Sequence, residues 1–420
     1  MKRIRLDYDT SNQSLRALDA LNFFLADVRD GLGPYLAIYL IAARGPSHGW
    51  NEATVGAVIT TAGIVGLIVQ TPIGGVIDRT RHRRAIVVVA AVAVTSSSVL
   101  LPVVNGYAMV TATQSVAAIA GAVFAPAISA LTLGLVGPTM LAPRIGRNEA
   151  FNHAGNAASA GLAALLAWRF GPTVVFWMMA VLALCSVVSA LRIRPADIDD
   201  QLARGLMGSS DDRRPAGWSA LLRNRPLTLF AVTAFVFHLS NAAMLTSVSQ
   251  LLSRIVGTDR ATSLVAICVL VAQLVMIPVA VVVGRKADIW GRKPILLTGF
   301  AVLAVRGVLY TASDNAVWLV AVQALDGIGA GIFGAVFPVV IADLTRGTGR
   351  FNVAQGAVAT AQGLGGALSA GMAGAIIVAF GYQIAFWTLA VIAGAGLVLY
   401  ATLMPETRLP GDALPAPTAA

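Results

Sequence analysis

Twelve apolar runs divide the chain, at about 16–43, 51–77, 85–104, 107–136, 148–168, 171–192, 226–253, 260–284, 294–312, 315–341, 352–380 and 382–404. Each is close to the ~20 residues that an α-helix needs to cross a hydrocarbon core of ~30 Å. Lipid offers no partner to an unpaired backbone N–H or C=O, so such a run enters the bilayer as a helix. Hydrophobic residues make up 57% of the chain and charged residues 12%, with a mean hydropathy of +0.77. A soluble domain carries about a quarter charged residues. The expected fold class is all-α integral membrane, with twelve transmembrane helices.

The chain also repeats itself at an offset of 210 residues, from Asp78 to Asp288. The first copy reads Gly74-Gly75-Val76-Ile77-Asp78-Arg79-Thr80-Arg81-His82-Arg83-Arg84, and the second Gly284-Arg285-Lys286-Ala287-Asp288-Ile289-Trp290-Gly291-Arg292-Lys293. Phe170-Gly171 and Phe176-Trp177 return as Phe380-Gly381 and Phe386-Trp387, and Ala180-Val181 as Ala390-Val391. Duplicated halves in an apolar chain are a building plan of secondary transporters. The expected organisation is a six-helix bundle over 1–192, a cytoplasmic linker over 193–225, a pseudo-symmetric six-helix bundle over 226–404 and a disordered cytoplasmic tail over 405–420.

The net charge of +10 is a topology signal. With the N-terminus inside, about 24 of the 30 Lys and Arg fall on the cytoplasmic side, and only Arg44, Arg169, Arg254 and Arg260 fall outside. This distribution argues against nucleic acid as a partner. It predicts a multi-pass protein of the inner (plasma) membrane with both termini cytoplasmic. The polar first 15 residues and a first apolar run too long for a signal sequence predict no cleavable leader. Cys185 and Cys268 lie inside spans without metal-type spacing and read as small helix-facing residues. The linker, with Asp197, Asp199, Asp200 and Gly208-Ser209-Ser210, reads as mobile, with a short surface helix near Ala196–Leu206.

Twelve helices in matching halves, each with an Asp-plus-basic loop after its second helix, resemble the major facilitator superfamily over almost the whole chain. The family loop is G-x-x-x-D-[RK]-x-G-[RK]-[RK]. The second copy supplies Gly284, Asp288, Gly291, Arg292 and Lys293, with Ile289 in place of a basic residue. The first keeps Gly74, Asp78, Arg79 and Arg83, but has Arg81 for the glycine and His82 for an Arg. A glycine one turn before the aspartate lets helices approach closely. The aspartate is then placed to accept hydrogen bonds from a helix N-terminus, whose dipole favours an anion. The resemblance implies that the helix facing Asp78 begins near Asn352 and the one facing Asp288 near Asn148. It also implies that these residues latch one conformation. Asp343, in Ile341-Ala342-Asp343-Leu344-Thr345, and Glu149, in Arg147-Asn148-Glu149, read as parts of a cytoplasmic charge network.

The resemblance further implies a central cavity between the bundles, lined by helices 1, 4, 7 and 10. Ionisable residues at membrane depth are functional candidates. Asp27 and Asp30 share a face of the first helix, Arg29 points elsewhere, and Gly31, Gly33 and Pro34 permit a kink just beyond. Gln323 and Asp326 on helix 10 join them, with Arg306 on helix 9 as a partner for Asp326. The expected proton-coupling residues are Asp27, Asp30 and Asp326. The expected substrate contacts are these with Arg29, Gln114, Asn152, His153, Asn156, His238, Asn241, Gln323 and Gln362. Gln114 stands where many proton-coupled members carry an Arg, and Gly155-Asn156-Ala157-Ala158-Ser159-Ala160-Gly161 replaces the proline-containing run of drug antiporters.

The expected function is secondary active transport of a small polar or charged solute by alternating access, proton-coupled, with export the favoured direction. The chain reads as a monomer whose partners are its substrate, protons and the lipid bilayer. Alternatives are uptake of an organic anion or metal chelate, metal ion transport through Asp27, His238 and Asn152, and a non-transporting membrane receptor. No HExxH, GxSxG, CxxC or phosphate-binding Gly-rich loop points to an enzyme, and no metal or cofactor is expected.

Overall fold

A computed structural model describes residues 11–30, 36, 39, 40, 50, 52–104, 106–170, 174–206 and 223–408. Among these, twelve long α-helices follow in order: α1 (Asn12–Asp30), α2 (Glu52–Arg79), α3 (Arg83–Val99), α4 (Tyr107–Val136), α5 (Leu141–Phe170) and α6 (Val174–Arg192), then α7 (Arg225–Val256), α8 (Thr258–Trp290), α9 (Arg292–Leu309), α10 (Ala316–Thr345), α11 (Phe351–Phe380) and α12 (Tyr382–Leu403). Eight of them (α2, α4, α6, α7, α8, α10, α11 and α12) are long and apolar enough to span a membrane. Val317, Val378 and Phe380 point outward and exposed, as side chains do whose solvent is hydrocarbon.

The duplication is a structural one. In the first half α2 packs on α4, α3 on α4 and α6, and α1 on α6; in the second, α8 packs on α10, α9 on α10 and α12, and α7 on α12. Pro72 and Pro278 interrupt the second helix of each half, and Pro126 and Pro338 the fourth. Each removes an i→i−4 hydrogen bond.

Two spatial units result, and their borders differ from the chain halves. One comprises residues 1–141, 155–214 and 347–356, the other 142–154, 215–346 and 357–420. The opening turns of α5 thus group with the second half, and those of α11 with the first.

Over residues 193–206 the linker departs from the expected surface helix. Two short 3₁₀ turns, Pro195–Asp197 and Leu202–Arg204, bury Leu202, Ala203 and Leu206. Asp199 N–H donates to Gly134 O at 2.9 Å. Asp197 accepts from the Ser11 hydroxyl and, at 2.6 Å, from the Ser14 hydroxyl, and these bonds hold its carboxyl below the usual carboxylate range. Residues 207–222 lie outside the described residues. The tail also begins ordered. Glu406 accepts from Arg292 N–H at 2.9 Å and Lys293 N–H at 3.0 Å, capping α9.

Candidate functional site

The loop glycines sit where two backbones touch. A Cβ on Gly74 would overlap Asn352 O and come within 2.9 Å of Val353 Cα, and one on Gly356 would overlap Gln70 O. That crossing of α2 and the start of α11 delivers Asp78 to a helix N-terminus. Its carboxylate is buried and accepts from Asn352 N–H at 3.2 Å, Val353 N–H at 3.0 Å and Asn352 Nδ2 at 2.7 Å. Gln355 Nε2 adds a bond to Ser129 Oγ at 3.0 Å. Asp78 is therefore an anion on the positive end of α11.

The second unit repeats the crossing with a different electrostatic solution. A Cβ on Gly284 would come within 2.7 Å of Gly146 Cα and 2.9 Å of Ala142 O. Gly146 and Gly356 are themselves 210 residues apart. The same offset pairs Asn352 and Val353 with Ala142 and Pro143, and proline has no N–H to give. Asp288 instead pairs with Arg292 at 2.8 Å. Arg292 also bonds Asp343 at 3.0 Å and Ala287 O at 2.8 Å, and Arg346 joins Asp343 at 3.5 Å. Arg408 donates to Asp288 O and Ile289 O at 3.0 and 2.8 Å. The expected start near Asn148 is corrected: α5 opens at Leu141, and Asn148 is buried inside it.

In the first unit the residue at the Asp343 position is Leu133, and the linker supplies the missing anion. Arg83, buried, pairs with Asp200 at 2.5 Å, and Arg84 donates to Ile193 O at 2.6 Å. Nothing in the apolar pattern announced that contact.

Replacing Asp78 by Asn keeps its size and removes a charge that accepts three hydrogen bonds. Charge-assisted bonds contribute about 1.5–3 kcal/mol each. Asp78→Asn is expected to slow reconstituted transport roughly tenfold, a conformational coupling of ~1.4 kcal/mol, and to lower the unfolding temperature, because the amide NH2 cannot accept from all three donors. Unchanged flux would reduce Asp78 to a topology anchor.

Among the mid-membrane candidates, Asp27, Arg29 and Asp30 occupy the last turn of α1, and the break at Gly31, Gly33 and Pro34 lies outside the described residues. Gln114 is half-buried on α4, and its amide nitrogen is buried without a hydrogen-bond partner. Asn156, Asn241 and Gln362 are half-buried on α5, α7 and α11. His238 Nδ1 meets Ala234 O at 3.0 Å, and its ring packs on Phe237 and Phe333 at 5.4 and 4.9 Å. No three His, Cys, Asp or Glu gather into a metal-holding group among the described residues.

Asp326 meets Arg306, which is 1% exposed, and accepts from Gln323 Nε2 at 3.1 Å. The Tyr310 hydroxyl donates to Gln323 Oε1, and the Arg306 guanidinium lies 5.7 Å from the Tyr310 ring centroid. Such a network ties α9 to α10 through Arg306, Tyr310, Gln323 and Asp326.

Asn152 and His153 come together with a residue read as cytoplasmic. Glu149 lies eight residues into α5, about 12 Å along the helix, beyond the charge network to which it was assigned. Its Oε2 accepts from Asn152 Nδ2 at 3.4 Å and lies 3.9 Å from His153 Nε2; His153 Nδ1 meets Gln273 Oε1 on α8 at 2.8 Å. The i, i+4 spacing of Glu149 and His153 was legible, but placing the helix start at 148 hid its depth.

The family model of the Major Facilitator Superfamily matches residues 20–305 and 230–418. An uncharacterized MFS-type transporter of Mycobacterium tuberculosis, Rv2456c in strain H37Rv, is 54% identical over 394 residues, 93% of each chain. The inner membrane transport protein YajR of Escherichia coli is 29% identical over 124 residues, 30% of this chain and 27% of its own length. Among solved structures, the proton:xylose symporter XylE superposes with a TM-score of 0.72 at 12% identity, covering 94% of this chain and 96% of its own. The human organic anion transporter MFSD10 gives 0.70 at 15% identity, covering 92% and 99%. The two six-helix bundles, the paired Asp-bearing loops and these matches together make the chain a member of the major facilitator superfamily, a multi-pass membrane protein of secondary transport.

Proposed function

We propose that this chain moves a small polar or charged solute by alternating access, coupled to protons, with export as the favoured direction. The supporting observation is Asp78 on the amides of Asn352 and Val353. That aspartate holds the opening turns of a helix whose remainder belongs to the other unit, so a contact of one charge with three donors biases a two-state element. A matching loop at Asp288 uses its own arginine instead, so the two latches release under different electrostatic conditions. The half-buried amides Asn152, Asn156, Asn241 and Gln362 favour an organic solute held by hydrogen bonds over a bare ion. XylE is a proton:xylose symporter and MFSD10 an organic anion transporter; at their low identity to this chain they set only the range of solutes to test. The protein is proposed to act as a monomer in the inner membrane with both termini cytoplasmic.

A stability screen of purified protein against sugars, organic anions, metal chelates and cationic dyes finds compounds that prefer the folded state. Each is then followed into proteoliposomes with and without an imposed pH gradient. Gradient-driven accumulation is the expected result. Saturable binding without counterflow would overturn transport in favour of a receptor, and flux indifferent to proton and sodium gradients would make the protein a facilitator.

A further inference from the structure

A half-buried carboxylate and a buried imidazole meet in the first half of α5, at its 9th and 13th residues. Glu149 Oε2 and His153 Nε2 are 3.9 Å apart, within ion-pair reach but beyond a hydrogen bond. His153 is 9% exposed, and its Nε2 is buried with no hydrogen-bond partner. The other ring nitrogen is committed: Nδ1 lies 2.8 Å from Gln273 Oε1, an acceptor, so Nδ1 carries the hydrogen. With the Gln273 oxygen accepting, that amide sets the tautomer and leaves Nε2 on the side of the carboxylate.

Among the described residues, no Lys or Arg forms an ion pair with Glu149; its one ion-pair contact is with His153. Between Arg260 and Arg285, α8 carries no ionisable group except Cys268. On α10 the carboxylate faces Gly334. Asp326 lies eight residues outward and is bound to Arg306, and Asp343 lies nine residues inward and is bound to Arg292. On α5 itself, Arg147 is turned over the Phe151 ring at 5.3 Å and Arg144 lies a further turn toward the helix start. Where α1 crosses α5 at Gly155, through Phe23 and Ala26, the ionisable groups of α1 at that level are Asp19 and Asp27.

We propose that Glu149 and His153 form one proton-binding site, the proton carrier of the cycle proposed above, on which this inference rests. With one proton, held on Nε2 or on the carboxyl, the pair is neutral. Without it the pair carries one negative charge in a segment where an unpaired charge is costly. The proton arrives from water on one side, forms an N–H or O–H bond, and leaves to water on the other. Asn152 holds Oε2 in place at 3.4 Å and acts as a positioning residue. Glu149 was hidden by its sequence neighbours, Arg147 and Asn148, which made it look like part of the cytoplasmic loop.

The proton itself is the probe. Proteoliposomes adsorbed on a solid-supported membrane are given a pH jump without solute, and the transient charge displacement is recorded. The wild type is expected to give a transient, Glu149→Gln and His153→Gln to lose at least nine-tenths of it, and Glu149→Asp to retain most of it. Unfolding temperatures establish that the variants are folded. A transient that survives in folded Glu149→Gln and His153→Gln overturns the proposal, as does a wild type with none. Loss in Asp27→Asn with persistence in both α5 variants moves the carrier to α1 and also overturns it. A wild-type transient lost with Glu149, alongside flux that no pH gradient drives, supports the proton site and overturns the coupled-transport reading instead.

Discussion

Arg306→Met is expected to be among the most damaging single substitutions in the second unit. Arg306 is almost fully buried between α9 and α10 and pairs with Asp326, whose other oxygen is held by Gln323. Methionine fills much the same volume but leaves a half-buried carboxylate without its cation, and breaking such a pair costs up to about 3–5 kcal/mol. The yield of monodisperse protein and its thermal unfolding in detergent should both fall. Adding Asp326→Asn removes the stranded charge, and the double variant should recover most of the loss, because a neutral replacement of a buried ion pair is often tolerated. Wild-type stability in the single variant would mean that the Arg306–Asp326 pair contributes nothing to holding α9 against α10.

The second large effect is expected where two glycines meet. Gly146→Val and Gly284→Val each place side-chain carbon within 2.7 Å of the opposing backbone Cα. Helices must separate to admit it, and overpacking of this kind costs about 1–3 kcal/mol or more. The crossing lies one turn before Asp288, so flux should fall further than stability alone explains. Because both substitutions open the same crossing, the double variant should be less damaged than the sum of the singles. Gly374→Ala is the contrasting case: nothing lies within 4 Å of its Cβ, and alanine is the better helix former by up to ~1 kcal/mol. Equal tolerance of Gly146→Val and Gly374→Ala, in unfolding temperature and flux, would show that close approach at Gly146 is dispensable.

The amides around the candidate site illustrate how far reading from sequence extends. Asn152, His153, Gln323 and Asp326 were singled out because polar groups at membrane depth are expensive. The structure engages all four with polar partners. What they do there followed from neighbours the pattern did not show. His238 carries the same signal, yet it lies against Phe237 and Phe333. Glu149 was misread because the first turns of α5 carry Arg144, Arg147 and Asn148, so hydropathy began the helix seven residues late. The linker was misread for a related reason: Leu202, Ala203 and Leu206 are too few for an apolar period, and their burial depends on a surface made by helices far away in sequence.

Helix number, the duplication, and the place of the paired aspartates could all be read from the chain alone. Transfer into lipid is a cost summed over ~20 neighbouring residues, and charge bias acts loop by loop, so both leave a local record. Tertiary structure decided which donors each aspartate meets, Asn352 and Val353 for Asp78 and Arg292 for Asp288. It also decided that Asp200 serves Arg83, and that Glu149 faces His153. Those pairings depend on how each helix is rotated and where it crosses its neighbour, and rotation about the helix axis leaves the summed hydropathy of the span unchanged.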